Sequence, residues 1–122
     1  MPDIPESKPN LKVHKQGDIC VVEFEDRKIL EEHVINQIGE RLGEIVEGES
    51  DPKLLLDFGN VEHLSSAALG MLIQLNNQLR DRQGRLVLAN IHPQIYEVFK
   101  ITRLNKLFTI YSSTEDALKA LA

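Results

Sequence analysis

The sequence lacks several features that would point to a secreted, membrane-bound or disulfide-stabilised protein. It contains no tryptophan, and Cys20 is its single cysteine. One thiol excludes an intramolecular disulfide, and its position in the apolar run 19–22 predicts a buried, unreactive side chain. No apolar segment follows Met1, and no run approaches the roughly 18 residues that a membrane span needs. We therefore expect a cytoplasmic protein without a membrane span.

Positive charge is also scarce. Lys and Arg total 14 against 19 Asp and Glu, for a net charge of -5, and no helix or arm concentrates basic residues, so we expect no nucleic-acid partner. No glycine-rich phosphate loop is present, which argues against an intrinsic kinase or ATPase, and we predict no cofactor. The histidines lack the spacing of a metal site, and no cysteine cluster accompanies them, so we predict no metal. These histidines are His14, His33, His63 and His92.

The composition that remains is that of an ordinary globular domain. Of the 122 residues, 42% are hydrophobic and 27% are charged, which suits one domain with one core. Residues 1–9 carry three prolines and little apolar content, so they are predicted to be a flexible tail. Residues 10–122 are predicted to form the single domain.

The apolar pattern changes period along the chain. Alternation around Leu11 and Val13, a turn containing Gly17, and the apolar run 19–24 predict a β-hairpin. Helical spacing predicts a helix over 31–47, within which the pair Gly39 and Gly43 allows close packing against the sheet. Further on, the pattern predicts a buried strand at 54–58, a helix at 66–82, a strand at 86–89, a short helix from Pro93, a strand at 108–111 and a last helix.

Local signals predict how these later helices begin, end and face. Gly84 is a natural stop for the helix over 66–82. Pro93 suits the first turn of its helix, and Ser112 with Glu115 matches a capping box for the last one. The inward positions of the short helix are expected to be Ile95, Val98, Phe99 and Thr102.

The order of elements indicates the fold class. A β-hairpin followed by α-β-α-β-α-β-α predicts an α/β fold with a mixed, mostly parallel sheet opened by the hairpin, and about four helices. In open sheets of this kind, functional residues collect beyond the carboxyl ends of the strands. The candidate site is therefore the stretch that leaves the buried strand, residues 57–70.

Two adjacent serines stand out in that stretch. Ser65 and Ser66 open a helix whose first turn otherwise consists of alanines. One interpretation is structural, because a serine at this position accepts bonds from the free N–H groups of the helix. The other is functional, because a phosphate there would meet free backbone donors and the positive end of the helix dipole. Spacing alone leaves both open.

At this point the sequence resembles a known family. The run Leu-Leu-Leu-Asp-Phe at 54–58, followed by Val61, Leu64, the serine pair and Leu69-Gly70, is similar to the signature of STAS domains. These domains include bacterial anti-sigma-factor antagonists and stressosome scaffold proteins. The strand at 85–91, the following Pro93 and the segment 98–108 match as well, so the resemblance extends over about residues 10–121.

The resemblance assigns a role to Ser66. The antagonists carry Asp-Ser-[Ser/Thr]-Gly-Leu-Gly, whose first serine is phosphorylated, and that serine falls on Ser66. The chain departs from the pattern at three neighbours, Ser65, Ala67 and Ala68. It departs again after the second strand, where the antagonists often have Gly-x-x-Asp and this chain has Asp26-Arg27-Lys28-Ile29.

The resemblance also implies how the protein works. It implies a non-enzymatic partner-switching regulator whose partner is an anti-sigma factor that doubles as a GHKL-type serine kinase. The alternative is a STAS module that is never phosphorylated and acts by assembly, as a homo-oligomer or a stressosome-like scaffold. Besides Ser66, the residues expected to contact the partner are Asp57, Asn60, Leu64, Ser65, Ala68, Leu69 and Met71.

Two catalytic or phosphoacceptor readings of Asp57 compete with this one. A response-regulator receiver would carry an acidic pair after its first strand and Lys-Pro after its last, and this chain has neither. A hydrolase triad of Ser66, His63 and Asp57 would need a Gly-x-Ser-x-Gly elbow, which is also missing. We therefore expect Asp57 to bond backbone or a loop donor near the serines.

Overall fold

The computed structural model describes residues 11–121, and the predicted tail over residues 1–9 lies outside them. The described chain contains strands β1 (Leu11–Gln16), β2 (Ile19–Phe24), β3 (Lys28–Ile29), β4 (Lys53–Asp57), β5 (His63–Leu64), β6 (Arg85–Ala89) and β7 (Thr109–Tyr111). The helices are α1 (Glu32–Glu47), α2 (Ser66–Asp81), α3 (Pro93–Ile101) and α4 (Thr114–Leu121), with a 3-10 turn at Leu104–Lys106. No helix among the described residues is both long and apolar enough to cross a membrane.

Five strands form the main sheet in the order β1-β2-β4-β6-β7. The hairpin β1–β2 is antiparallel and turns at Gly17, whose φ of 62° lies in the left-handed region that glycine favours. The other three pairings, β2 with β4, β4 with β6 and β6 with β7, are parallel. The predicted α/β fold with a mixed, mostly parallel sheet and four helices is confirmed.

Helices cover both faces of this sheet. On one face, the buried side chains of α1, α2 and α3, such as Leu42, Leu72 and Phe99, pack with Leu54 and Leu56 of β4. On the other face, α4 contributes its buried residues to a smaller cluster with strands β2, β4 and β6. Strand β4 is therefore apolar at consecutive positions because it is covered on both sides. Members of the smaller cluster are Ile19, Val21, Leu55, Val87, Ala89, Ala117 and Leu121.

The thiol of Cys20 lies inside the larger cluster. Its residue is 5% exposed, which confirms the prediction of a buried side chain. Burial raises the pKa of this thiol, since a thiolate would lose its hydration there. A raised pKa and poor access together keep the thiol unreactive.

Helix α2 ends through a Schellman motif in which Gly84 has a different role from the one predicted. The left-handed residue is Gln83, with a φ of 60°. The N–H of Gln83 bonds the Arg80 carbonyl at 3.0 Å, and that of Gly84 bonds the Leu79 carbonyl at 2.7 Å. Gly84 itself is required by packing, because a Cβ there would collide with the Pro52 carbonyl oxygen and lie 2.8 Å from Pro52 Cγ.

Two predictions about α3 and α4 are wrong in detail. In α3, Ile95 and Phe99 are buried as expected, but Val98 is 40% exposed and Thr102 is exposed at the helix end. The short helix buries only a narrow stripe, so positions one residue beyond it face outward. For α4, the cap is Ser113, whose Oγ accepts from the Asp116 N–H at 3.1 Å. Because Ser112 and Ser113 are adjacent, the sequence was compatible with either of them as the cap.

Candidate functional site

The candidate site is the junction at which β4 passes into α2, residues 57–70. Strands β4 and β6 are parallel neighbours, so Asp57 and Ala89, paired in register, end at the same edge of the sheet. Before α2 begins, the chain adds a second, two-stranded parallel sheet in which β5 pairs with β3. This small sheet was not predicted, since two-residue strands leave no periodic signal.

Asp57 holds the start of the junction together. Its Oδ1 accepts from the Gly59 N–H and from Asn90 Nδ2, both at 2.9 Å. The Thr114 hydroxyl lies 3.5 Å from Oδ2 and accepts a 2.8 Å bond from Asn90 Nδ2. The expectation that Asp57 bonds backbone and loop donors is confirmed. No hydrogen bond joins Asp57 to His63 within residues 11–121, so the geometry offers no support for a hydrolase triad.

Asn90 and His92 belong to this junction and were missed as site residues. Asn90 stands just beyond β6 with a φ of 61°, which directs its amide toward Asp57. His92 Nε2 lies 2.7 Å from the Gly59 carbonyl oxygen, a contact in which the Nε2–H tautomer donates. Both residues follow β6, the parallel neighbour of β4, and functional groups of open α/β sheets collect beyond such strand ends. That position could have identified them from the sequence.

The loop between Gly59 and β5 is attached to the opening hairpin. Asn60 Nδ2 donates to the Phe24 carbonyl at 3.2 Å. The Arg27 carbonyl accepts from the N–H of Glu62 at 2.8 Å and of His63 at 3.1 Å. The Arg27 guanidinium also reaches the Glu62 carboxylate with two bonds of 3.0 and 3.2 Å. The segment that departs from the antagonist pattern therefore carries the clamp that positions this loop.

The Arg27–Glu62 pair makes a pH-dependent contact. Its hydrogen bond and charge hold the pKa of the Glu62 carboxyl below its ordinary value. Because the folded pKa is lowered, the ionised carboxylate favours the folded loop above the ordinary carboxyl pKa. That contribution is lost as the pH falls through the lowered folded pKa. Both side chains are exposed to solvent, so this ion pair contributes little to the stability of the whole domain.

We expect Arg27→Gln to raise the pKa of Glu62 toward its ordinary value. A carbon-detected NMR titration of the Glu62 carboxyl measures this directly. Lys12→Gln is the matched control, because it removes an exposed cation that faces Glu25 at 3.8 Å on the hairpin. The control should leave the Glu62 titration unchanged. An unchanged titration in Arg27→Gln would show that the clamp does not form in solution.

The two serines occupy different positions at the start of α2. Ser65 is the N-cap, and its Oγ accepts from the Ala68 N–H at 3.2 Å. Ser66 is the first helical residue and is exposed. No hydrogen bond of its hydroxyl is found within the described chain. The capping role open to both serines in the sequence thus falls on Ser65, which leaves the Ser66 hydroxyl available to solvent.

The expected contact residues do not all reach the surface. Asn60 is exposed, and Leu64, Ser65 and Met71 are half-buried. Ala68 is fully buried because its position on α2 faces the sheet, so it belongs to the core and not to a contact surface. Asp57 is half-buried and engaged in its own bonds, and Leu69 is 8% exposed.

Two depressions flank the first turns of α2. A hollow of about 190 Å³ lies between β5 and α3, and Leu64, Leu69 and Val98 are among its lining residues. A larger groove of about 770 Å³ runs between α1 and α2. Gly39 and Gly43 line this groove and face α2, which corrects the expectation that they pack against the sheet.

Several known proteins are similar to this chain. The family model described as STAS domain matches residues 10–117. A Bordetella bronchiseptica protein, the proposed anti-sigma factor antagonist BtrV, is 35% identical over 72 residues, which cover 59% of this chain and 62% of BtrV. A STAS-domain-containing protein of Pseudomonas aeruginosa is 31% identical over 58 residues, which cover 48% of this chain and 57% of that protein. The match thus spans about three fifths of the length of these curated relatives.

Solved structures share the whole fold. A STAS-domain anti-sigma-factor antagonist from Planctomyces limnophilus superposes with a TM-score of 0.82 at 23% identity, over 92% of this chain and 97% of that one. The phosphorylated form of the Bacillus cell fate determinant SpoIIAA gives a TM-score of 0.70 at 16% identity, over 93% of this chain and 100% of that one. At these identities the structures show a common fold.

Proposed function

This chain belongs to the STAS-domain family, and we propose that it acts as a partner-switching regulator of the anti-sigma-factor-antagonist kind. In this proposal it binds an anti-sigma factor that is also a GHKL-type serine kinase, and it is phosphorylated on Ser66. The kinship to BtrV, a proposed antagonist, and the shared fold with the phosphorylated form of SpoIIAA support it.

The observation that carries the proposal is the free hydroxyl of Ser66 at the start of α2. Ser65 already serves as the cap, so Ser66 is not needed to complete the helix. A phosphate on Ser66 would face the amino-terminal end of a 16-residue helix, where the dipole and backbone N–H groups favour an anion. The fold can therefore accept the modification without rearrangement.

Phosphorylation would act on the surface around Ser66. It adds a charge of about -1.5 to -2 at neutral pH. The proposed contact surface consists of Asn60, Leu64, Ser65, Ser66 and Met71, with Asp57 holding the loop in place and Leu69 largely buried beneath it. A dianion beside Leu64 opposes docking of an apolar or acidic partner surface. The unmodified protein would hold the anti-sigma factor, and the modified protein would release it.

Intact mass measurement after incubation with a GHKL-type serine kinase of the same organism and ATP tests this proposal. We expect a species heavier by about 80 Da, one phosphoryl group, in the wild type and none in Ser66→Ala. Ser65→Ala is the matched control, since it removes the neighbouring hydroxyl and a cap worth about 1 kcal/mol, yet leaves the acceptor. Phosphorylation that persists in Ser66→Ala, or never occurs in the wild type, contradicts the proposal.

A second candidate function is a STAS interaction module that assembles without phosphorylation. Exposed apolar residues favour it, because Ile101 is 78% exposed and Val98 is 40% exposed at the end of α3. Apolar side chains grouped on a surface are typical of a contact between proteins. An unmodified wild-type mass in the kinase experiment would favour this candidate over the switch.

A further inference from the structure

The groove between α1 and α2 adjoins the Ser66 surface, with which it shares Met71, and extends well beyond it. Its volume is about 770 Å³, and it runs alongside both helices. Met71 supplies apolar surface from α2, Gly39 and Gly43 face the Met71 and Gln78 side chains, and Gly70 leaves the helix backbone uncovered. Its walls are two helices, whose backbone N–H and C=O groups are bonded internally.

Two of these glycines have no steric role in the free protein. A Cβ on Gly70 would meet no atom within 4 Å, and one on Gly43 would make ordinary contact with Gln78 at 3.5 Å. Neither residue has a φ in the left-handed region. Glycine inside a helix weakens it relative to alanine, so these positions carry a cost that the free fold does not require. What they provide is an open path to the helix backbone.

The charges along the groove are also unexplained by the free protein. The α1 side carries Glu32, Glu40, Glu44 and Glu47, and the α2 side offers the neutral Gln74 and Gln78. Within residues 11–121 no ion pair engages any of these four glutamates. Glu40 and Glu44 are four residues apart on one helix, where like charges repel. Glu47 lies in the last turn of α1, which has no basic residue of its own. The Arg82 guanidinium bonds the Glu47 carbonyl at 3.2 Å, and no ion pair engages the Glu47 carboxylate among the described residues.

We propose that this groove binds a single cationic helix of a partner protein. Lysine or arginine side chains of that helix would pair with the glutamates of α1, and its small or aliphatic side would pack on Met71 and the glycines. An extended peptide would find no backbone partners on two helices, so a helix is the suitable occupant. The acidic side runs over the 16 residues from Glu32 to Glu47, a rise of about 22 Å, which corresponds to about four turns.

This contact goes beyond the proposed function. The groove begins beside the Ser66 surface, since Ala67, Gly70 and Met71 line it, and extends along α2 as far as Gln78. A cationic helix would remain attracted to the glutamates when negative charge is added at Ser66. The groove would therefore keep a second partner, distinct from the anti-sigma factor, attached in both states of the switch.

A synthetic 16-residue helical peptide of Leu, Ala and Lys is the probe, and the same peptide with Glu for Lys is its control. Amide shifts in two-dimensional NMR locate binding, and fluorescence anisotropy measures the affinity at two salt concentrations. We expect the Lys peptide to shift the amides of Gly43, Gly70 and Gln74, with weaker binding at high salt. The Glu peptide should not bind.

Variants separate the groove from general negative charge. Glu40→Gln/Glu44→Gln should weaken binding about tenfold, and Glu97→Gln/Glu115→Gln, which removes equal charge from α3 and α4, should change it less than about twofold. Gly70→Leu should abolish binding with the fold kept, since thermal unfolding reports on the fold separately. Equal losses in both double variants, or shifts centred elsewhere, overturn the proposal. The kinase experiment does not involve the groove, so either proposal can fail alone.

Discussion

Replacing Phe58 by alanine is expected to lower the free energy of unfolding by about 4 kcal/mol, the largest loss among the variants considered. Phe58 is 1% exposed, and its ring centroid lies 4.9 Å from that of Phe24. Without the ring, the protein buries less apolar surface on folding. The change also leaves a cavity that the helices packed around it cannot fill. Since domains of this size are stable by about 5–15 kcal/mol, the variant would lose a large share of its stability.

The same change is expected to disturb the functional junction. The Phe58 N–H bonds the Ala89 carbonyl at 2.9 Å, and its carbonyl accepts from the Val61 N–H at 2.9 Å. Phe58 also stands between Asp57 and Gly59, so its ring anchors the loop that leads to the serines. Urea unfolding measures the loss, and Phe58→Leu, at about 1 kcal/mol, is the control for a retained apolar volume. A loss in the alanine variant as small as in the control would show that the ring is not packed as described.

The second large effect is a contrast between two glycines under one substitution. Gly84→Ala is expected to destabilise the protein by about 2–3 kcal/mol, because the new methyl group meets the Pro52 carbonyl and Cγ, backbone and ring atoms that cannot rotate away. Gly70→Ala is expected to stabilise it by about 0.5–1 kcal/mol, because its methyl group enters open space and alanine favours the helix.

Thermal or urea unfolding of the two variants beside the wild type checks this contrast. Both variants replace glycine by alanine, so the effect of the substitution on the unfolded chain is nearly the same in the two and largely cancels when they are compared. Opposite signs are the expected result. A loss of stability in Gly70→Ala would mean that the α2 surface is already covered in the free protein, and would count against an open groove.

The sequence predicted those parts of the fold that have a local cause. The apolar run at 54–58 indicated a strand covered on both faces, and the α/β order followed from the change of period. The serine pair pointed to the start of α2, although only the structure separates the cap, Ser65, from the free hydroxyl of Ser66. The faces of α3 and the cap of α4 were wrong by one position, because adjacent residues there differ little in polarity or capping ability.

The arrangement around Asp57 was beyond sequence reasoning for a different reason. Asp57, Asn90 and Thr114 are brought together by the order of strands in the sheet and by the placement of α4. No spacing between them in the chain encodes that order. The contact between Arg27 and Glu62 could not be predicted from the sequence either. The strands beside these residues, β3 and β5, have two residues each, which is too few to show a periodic pattern.

The hydroxyl of Thr114 links the back of the sheet to the site at its edge. Thr114 begins α4, whose Ala117 and Leu121 are buried in the smaller cluster. This eight-residue helix packs on the sheet through Ala117, Leu118 and Leu121. The Thr114 hydroxyl stands where α4 begins, so a displacement of α4 would remove its contacts with Asn90 and Asp57. The last helix therefore supports the loop before Ser66 from the opposite face of the sheet, beside the bonds from Phe24, Arg27 and His92.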